Sequence, residues 1–351
     1  MDLNLKRYPL VSILIPNYNY GRYLENCLDS ILNQTYPNYE VIFRDNCSTD
    51  SSLEIALEYR KKFKDKGIYF SVSQNKRNVG SDRNSQLCIN DAEGEYLYVL
   101  ASDDAIECNF IERCAEVLYQ YPSVGLVITH RNEIDENGNV KSGLPFYNKS
   151  CVIPGEEQAS VFMMAGIAIP GQRMFRRGVE AKVRNFKYSF QVAGDWFNNF
   201  LYTCCSDIAY IKEPLCRYRV HSGNETSESE INLVGIFEHY QLINSFCTIS
   251  KAFGMKKPVQ RYDEAVKKLA KMCLRYALKM INANKIDVAQ RYLQLSPVFD
   301  KDIIQDKGYI DLTECCRIEN LSEDLLHRIN EKYNFNRSVS YNPPQGYISL
   351  E

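Results

Sequence analysis

Apolar positions along the first 130 or so residues alternate between two periods, short continuous runs and amphipathic stretches. Leu10 to Pro16 is a β-branched-rich apolar run closed by a proline, and reads as a strand. After it Leu24, Cys27, Leu28 and Ile31 recur at i, i+3, i+4 and i+7, the spacing of one helix face. Tyr39 to Arg44 predicts the next strand and Ser51 to Lys66 the next helix. Ile68 to Ser73 is strand-like, and Asn84 to Ala92 is helical, with Gly94 placed to cap its C-terminus. Tyr96 to Ala101 predicts a fourth strand, Phe110 to Tyr119 a fourth helix with Phe110, Cys114, Val117 and Leu118 on one face, and Gly125 to Thr129 a fifth strand. Strands alternating with helices at this pace predict an α/β fold on a mostly parallel sheet covered on both faces. Ligands of such sheets bind beyond the carboxyl ends of the strands. The segments there are Asn17 to Asn19, Asp45 to Asp50, Asn75 to Asn84 and Ser102 to Asp104. All are polar and two are acidic, so the pattern predicts one site built from four loops.

Residues from about 131 to 225 are less regular, and from about Glu228 the pattern turns helical. Ile236, Tyr240, Ile243 and Cys247 form one stripe; Tyr262, Ala265, Val266, Leu269, Cys273, Tyr276, Ala277 and Met280 form a longer one, with Pro258 suited to the start of that helix. The chain therefore divides into an α/β unit over 1–225, a helical region over 226–333 and a weakly ordered tail over 334–351. The longest apolar run, Val161 to Pro170, falls well short of the roughly 20 residues that cross a bilayer and reads as a buried segment. A net charge of -2 gives no basic excess of the kind a nucleic-acid partner requires. The 13 cysteines are scattered, without Cys-x-x-Cys or zinc spacing, and fit reduced, buried residues in a cytosolic protein. Met1 to Pro9 holds no apolar stretch of signal-peptide type.

Motifs at the strand ends narrow the chemistry. In chain order stand Val11-Ser-Ile-Leu-Ile-Pro-Asn-Tyr-Asn19, Gln34-Thr35, Tyr39-Glu-Val-Ile-Phe-Arg-Asp-Asn-Cys-Ser-Thr-Asp50 and Asn78-Val-Gly80. There follow Gly94-Glu-Tyr96, Leu100-Ala-Ser-Asp-Asp104, Gly194-Asp-Trp196, Glu213-Pro-Leu215 and Tyr218-Arg-Val-His221. Each is weak alone; together, over roughly residues 9 to 225, they resemble glycosyltransferase family 2. The resemblance implies a GT-A (Rossmann-like) fold, a mixed, mostly parallel sheet flanked by helices, here with a helical C-terminal region that carries no such motif. It also implies an inverting transfer of a sugar from a nucleotide diphosphate-sugar, UDP- or dTDP-linked, to an acceptor hydroxyl.

Carried over position by position, the resemblance makes Asp45 the acceptor for the N3–H of a pyrimidine base, with Pro16, Tyr18 and Asn19 in the base-contacting first loop. As a capping residue for the following helix, Asp50 or Ser51 suits better. Asn78, Arg83 and Asn84 fall in the donor site, where a guanidinium fork suits diphosphate oxygens; Ser102, Asp103 and Arg219, with Arg217, belong to the same set. Asp103 and Asp104 are adjacent carboxylates, which repel unless a cation joins them. Oxygen ligands favour Mn²⁺ or Mg²⁺, which would offset charge on the leaving diphosphate, and the resemblance adds His221 as a ligand. Many members have Asp-x-Asp-Asp here, whereas this chain has Ala101 in place of the first carboxylate. Asp195 matches the base that takes the acceptor proton, and can also cap the helix after it. Trp196 and Arg173 are candidates for the acceptor side, Arg173 within a basic cluster with Arg176 and Arg177.

The implied partners are a nucleotide-sugar donor and a glycan or glycolipid acceptor, in bacterial surface-polysaccharide or glycolipid assembly. The expected location is the cytoplasm, with peripheral association at the inner face of the membrane and oligomerisation through the C-terminal helices as open options. Two other readings compete. A sugar nucleotidyltransferase would open with a Gly-rich basic loop, where this chain has Pro16-Asn-Tyr-Asn19. A non-catalytic nucleotide- or sugar-binding scaffold is supported by the missing carboxylate alone.

Overall fold

The computed structural model describes residues 8–167, 170–184, 186, 190, 192–220, 230–318, 322–333 and 339–351. The alternation read from the first segments is present: β1 (Val11–Asn17), α1 (Gly21–Leu32), β2 (Tyr39–Asp45), α2 (Ser52–Asp65), β3 (Tyr69–Gln74), α3 (Ser81–Asp91) and β4 (Tyr96–Val99) follow in turn. A short β5 (Ala105–Ile106), α4 (Phe110–Gln120), β6 (Val124–Ile134), β7 (Val140–Lys141) and β8 (Cys151–Ile153) come next. Then come α5 (Gly155–Phe162), β9 (Arg173–Arg176), α6 (Arg177–Val183), α7 (Gly194–Thr203) and β10 (Asp207–Arg219). The remaining elements are α8 (Val234–Ala252), α9 (Lys256–Gln260), α10 (Tyr262–Asn282), α11 (Ile286–Phe299), α12 (Lys307–Cys315), α13 (Glu323–Lys332) and β11 (Ile348–Ser349).

One mixed sheet runs β11-β8-β10-β6-β9-β4-β1-β2-β3, with β5 on β10 and β7 on β6. Strands β1 to β4 are parallel to their neighbours among themselves, and β6 is parallel to β10. Antiparallel β9 lies between β4 and β6. The carboxyl ends of β1–β4, β6 and β10 therefore share one edge. Strand β1 has β2 on one side and β4 on the other, so the connections diverge there, which opens a crevice at the carboxyl edge. Both faces of β1 are covered: Val11, Ile13 and Ile15 join the α1, α2 and α4 side with Leu24, Leu28 and Phe110, while Leu14 joins the α3 side with Cys88.

The core on the α3 side continues into the C-terminal helices. Phe246 of α8 stacks on Phe200 of α7 at 3.9 Å between centroids and 14°, and the long stripe of α10 is buried at Ala265, Leu269, Cys273, Tyr276, Ala277 and Met280. In α8 three of the four stripe residues are buried, while Tyr240 is exposed and lies 5.7 Å from Phe299.

Three local expectations are corrected. Gly94 does not cap α3, which ends at Asp91; it lies where β1 crosses closely, and a Cβ there would sit 2.6 Å from the Ser12 nitrogen. Pro258 sits in the separate short helix α9, and α10 starts only at Tyr262. The C-terminal segment is not a loose tail: Ile348 and Ser349 pair with Val152 and Cys151 as an added edge strand, and Tyr341 bridges to Tyr147. Residues 334–338 lie outside the described residues.

Candidate active site

Three parallel strands end in a register-matched polar row, Asn17 opposite Asp45 and Asp45 opposite Gln74. Each residue ends its strand, so the sheet delivers its last side chains together at the crevice. The Asp45 carboxylate is fully buried. Its Oδ1 accepts from Asn17 Nδ2 (2.9 Å) and Ser48 Oγ (2.5 Å), and its Oδ2 from Ser48 N (2.8 Å) and Gln74 Nε2 (3.0 Å). These four donors fill the lone-pair positions of a carboxylate. A ring N–H reaches Asp45 only by displacing one of them, and Gln74 is the exposed one.

The loops around this row are tied by amides. Asn46 donates to Asn78 Oδ1 (2.8 Å) and accepts from Asn75 Nδ2 (3.0 Å) and Val79 N (2.9 Å). Asn84 is buried and used internally, donating to Arg44 O and accepting from Asn75. Asn19, at φ 57°, accepts from Thr49 N (2.8 Å) and donates its own N–H to Ser48 Oγ (2.9 Å), which pins the first loop to the second. Between them Tyr18 stands exposed at 42%, next to the half-buried Pro16, and Arg83 is exposed at the start of α3. Asp50 accepts from Ser52 N and from Gly21 N, so it joins the starts of α2 and α1. Burial would raise its pKa, but the Ser52 hydroxyl and the Gly21 and Ser52 N–H groups bring it below the usual carboxylate value.

Beyond β4, Asp103 and Asp104 are buried side by side, 9% and 2% exposed, Asp103 being the more open. Burial first, then the charge of Asp103, pushes the Asp104 carboxyl up to about 8, against the opposing N–H of Arg219 and the charges of Arg131 and Arg219. Arg219, at the end of β10, braces this pair. Its backbone N–H donates to Asp104 Oδ1 (2.8 Å), Nε to the Asp103 carbonyl (2.8 Å), Nη1 to the Asp135 carbonyl (2.9 Å) and Nη2 to Asn26 Oδ1 (3.2 Å). The guanidinium lies 4.5 Å over the Tyr23 ring. Only 4% exposed, it holds the acidic turn from behind. Arg217 is paired in a fork with Glu107 at 2.6 and 2.9 Å.

The chain returns to the carboxylate pair just before β9. Gly171 passes so close that a Cβ there would lie 3.1 Å from Asp104 Oδ2. Two residues on, Arg173 donates to Asp195 Oδ1 (3.2 Å), the Asp195 carbonyl (3.4 Å) and Asn199 Oδ1 (2.7 Å). One short segment thus links the acidic pair to Asp195 in the first turn of α7. The Asp195 side chain keeps 41% of its surface open. Its crowded surroundings raise its pKa, Arg173 opposes this, and the charge of Asp82 at the start of α3 adds to it. Because β9 runs antiparallel to β4, Arg176 lies at the opposite edge, paired with Glu95 and the carbonyls of Val124 and Leu118, and Arg177 bonds the Gly94 carbonyl. The basic cluster read from sequence is therefore split, and only Arg173 faces the crevice. The Trp196 indole N–H donates to the Phe162 carbonyl (2.8 Å), and its ring packs near His239 and Phe246. His221 lies outside the described residues.

Three shielded polar atoms along the crevice, Asn17 Oδ1, Ser102 Oγ and Arg173 Nε, have no hydrogen-bond partner among the described residues; a water, an ion or a ligand atom would complete them. Among the described residues no three His, Cys, Asp or Glu side chains form a preformed cage. The oxygen donors Asp103, Asp104 and Ser102 suit a hard divalent cation that takes its remaining ligands from substrate phosphates. A separate open cleft of about 400 Å³, lined by Ser123, Cys204, Cys205, Asp207 and Met255, lies at the amino edge of the sheet, away from these groups. Gln74 is the site residue that sequence reasoning missed; the signal was a polar residue ending a third consecutive strand.

The model of the glycosyl transferase family 2 matches residues 12–184. Chondroitin synthase from Escherichia coli is 30% identical over 265 residues, which cover 72% of this chain and 34% of that protein, so the chain spans about a third of its length. Among solved structures, S. aureus TarS 1-349 in complex with UDP-GlcNAc superposes with a TM-score of 0.60 at 17% identity, over 88% of this chain and 91% of that one. The mannosyltransferase PcManGT from Pyrobaculum calidifontis, in complex with GDP-Man and Mn²⁺, gives a TM-score of 0.54 at 16% identity, over 88% and 84%. These two share the fold. The mixed sheet, the loops at its carboxyl edge and the family match agree: this chain belongs to glycosyltransferase family 2 and has the GT-A fold.

Proposed function

We propose that the crevice transfers a sugar from a UDP- or dTDP-linked donor to an acceptor hydroxyl by single displacement, with inversion at the anomeric carbon. The observation that carries this reading is Asp195, held by Arg173 and half-open to the crevice, and linked through the 171–173 segment to the buried Asp103 and Asp104. The acceptor oxygen attacks the anomeric carbon as Asp195 takes its proton, and the nucleoside diphosphate leaves from the opposite face. A carboxylate with a raised pKa suits that proton transfer. Arg173 fixes the orientation of the carboxylate. The nucleotide lies along the Asn17–Asp45–Gln74 row with Tyr18 beside the base, and Arg83, exposed at the start of α3, is the candidate cation for the diphosphate. Asn78 and Asn84 shape this pocket through the amide network, and Arg219 acts on the acidic turn. Asp103, with Asp104 behind it, would hold Mn²⁺ or Mg²⁺, and that ion when bound would offset charge on the leaving diphosphate; His221 is a further candidate ligand.

A polysaccharide or glycolipid acceptor is supported by the relatives, which include chondroitin synthase and a poly(ribitol-phosphate) β-glucosyltransferase of Bacillus spizizenii. No helix among the described residues is long and apolar enough to cross a membrane; we place the reaction on the cytoplasmic side. The test is Asp195→Asn assayed against a panel of UDP- and dTDP-sugars. Transfer should fall about 10²- to 10⁴-fold, while thermal stabilisation by UDP with Mn²⁺ persists. Full transfer by the variant would overturn the assignment, and release of pyrophosphate in place of nucleoside diphosphate would identify a nucleotidyltransferase.

A further inference from the structure

The residues that lead into Asp195 are held from the C-terminal helices. Helix α7 has no side-chain cap of its own at Ala193. Instead Glu238, in the second turn of α8, reaches across so that its Oε2 accepts from Val192 N (2.8 Å) and Ala193 N (3.0 Å). A carboxylate at the start of a helix also meets the positive end of its dipole. Further along the same two helices, Phe246 stacks on Phe200. About two turns separate Glu238 from Phe246, and a similar length of chain separates Val192 from Phe200. Helices α7 and α8 therefore run side by side in one direction, with an apolar contact at one end and a polar clamp at the other. The next residue, His239, packs its ring 5.4 Å from Trp196, so α8 also backs the residue that follows the base.

From this arrangement we infer that Glu238 is a positioning residue for the transfer, holding the 192–193 backbone so that Asp195 keeps its aim into the crevice. The inference rests on the proposed role of Asp195. It gives the C-terminal helices a task in the reaction itself: they supply the cap that the catalytic helix lacks.

The full chain is tested as Glu238→Ala, Glu238→Gln, Asp195→Asn and the double variant Asp195→Asn/Glu238→Ala. The probes are amide hydrogen exchange and UDP release from UDP-glucose and UDP-N-acetylglucosamine with water as acceptor. In Glu238→Ala, exchange at Val192 and Ala193 should rise about tenfold, with β1 and β2 amides unchanged. The kcat of UDP release should fall roughly 10- to 100-fold, as for a catalytic group displaced by about 1 Å, with KM for the UDP-sugar unchanged. Glu238→Gln keeps an acceptor oxygen and should recover most of both. The double variant should be no slower than Asp195→Asn, because residues that act as one unit are not additive. Unchanged exchange in Glu238→Ala overturns the inference, as does faster exchange with unchanged kcat, or full additivity. If Asp195→Asn keeps its rate, the role of Asp195 fails instead, while the exchange data still decide whether the clamp exists.

Discussion

Replacing Arg219 by methionine removes a buried guanidinium while keeping most of its apolar stem. Three side-chain hydrogen bonds disappear, two of them to the carbonyls of Asp103 and Asp135, together with the contact over Tyr23. A hydrogen bond from a charged donor contributes about 1.5–3 kcal/mol and a cation–π contact about 0.5–2 kcal/mol. These terms overlap, since all depend on one side chain. Removing one partner of a buried charged network typically costs about 3–5 kcal/mol, and about 4 kcal/mol is expected here. That is a large share of the roughly 5–15 kcal/mol of a native protein. Arg219→Lys keeps the charge but reaches at most one of the three acceptors, so about half the loss is expected. Urea unfolding reads both variants through Trp196, the chain's single tryptophan. UDP titration with Mn²⁺ is run beside it on the folded fraction. A stability loss below about 1 kcal/mol combined with a tenfold or greater loss of UDP affinity would refute the reasoning, because Arg219 would then be facing the diphosphate and not the acidic turn.

Four further outcomes follow from the same geometry. Gln74→Ala should bind UDP several-fold more tightly by calorimetry, because it frees Asp45 Oδ2 for a base N–H; weaker binding would show that the amide assists the base. The combined Asp103→Asn/Asp104→Asn variant should lose the Mn²⁺-dependent part of UDP stabilisation, worth about 2.7 kcal/mol at a hundredfold excess over Kd, and EDTA should do the same to the wild type. Burial, then the charge of Arg275, hold the His239 ring at about 4, against the pull of Glu238. In this case the unfolded chain binds the proton more readily, so stability should fall as pH drops from about 6.5 towards 4, by about 2 kcal/mol after screening. His239→Gln should flatten that slope, and an unchanged slope would place the titration elsewhere. Arg173→Met should lower turnover and leave UDP binding intact, and parallel losses in both would argue against a role confined to Asp195.

What the sequence made legible was whatever repeats locally. The runs at Leu10, Tyr39 and Tyr96 and the stripes of α1, α4 and α10 declare themselves by period, and the polar segments after each strand mark the crevice edge. What stayed hidden depends on contacts between distant positions. Gly94 looks like a cap until β1 is seen crossing it. Arg219 looks like a phosphate ligand, and only the fold brings it behind Asp103 and Asp135. The three arginines from Arg173 to Arg177 look like one patch, but an antiparallel strand sends their two ends to opposite edges. Glu238 gives no local signal, because the backbone that it caps lies more than forty residues earlier.

The pairing of β11 with β8 carries a consequence for synthesis of the chain. Strand β8 leaves the ribosome about 200 residues before Ile348 and Ser349 exist, a delay of roughly 10–40 s at ordinary elongation rates. Throughout that interval the outer side of Cys151 and Val152 lacks the partner it has in the finished fold, and an open strand edge invites pairing with another chain. Crowding of nascent chains on one message, or a pause in translating α8 to α13, should therefore favour aggregation, and a soluble peptide carrying the Tyr347–Leu350 sequence should suppress it.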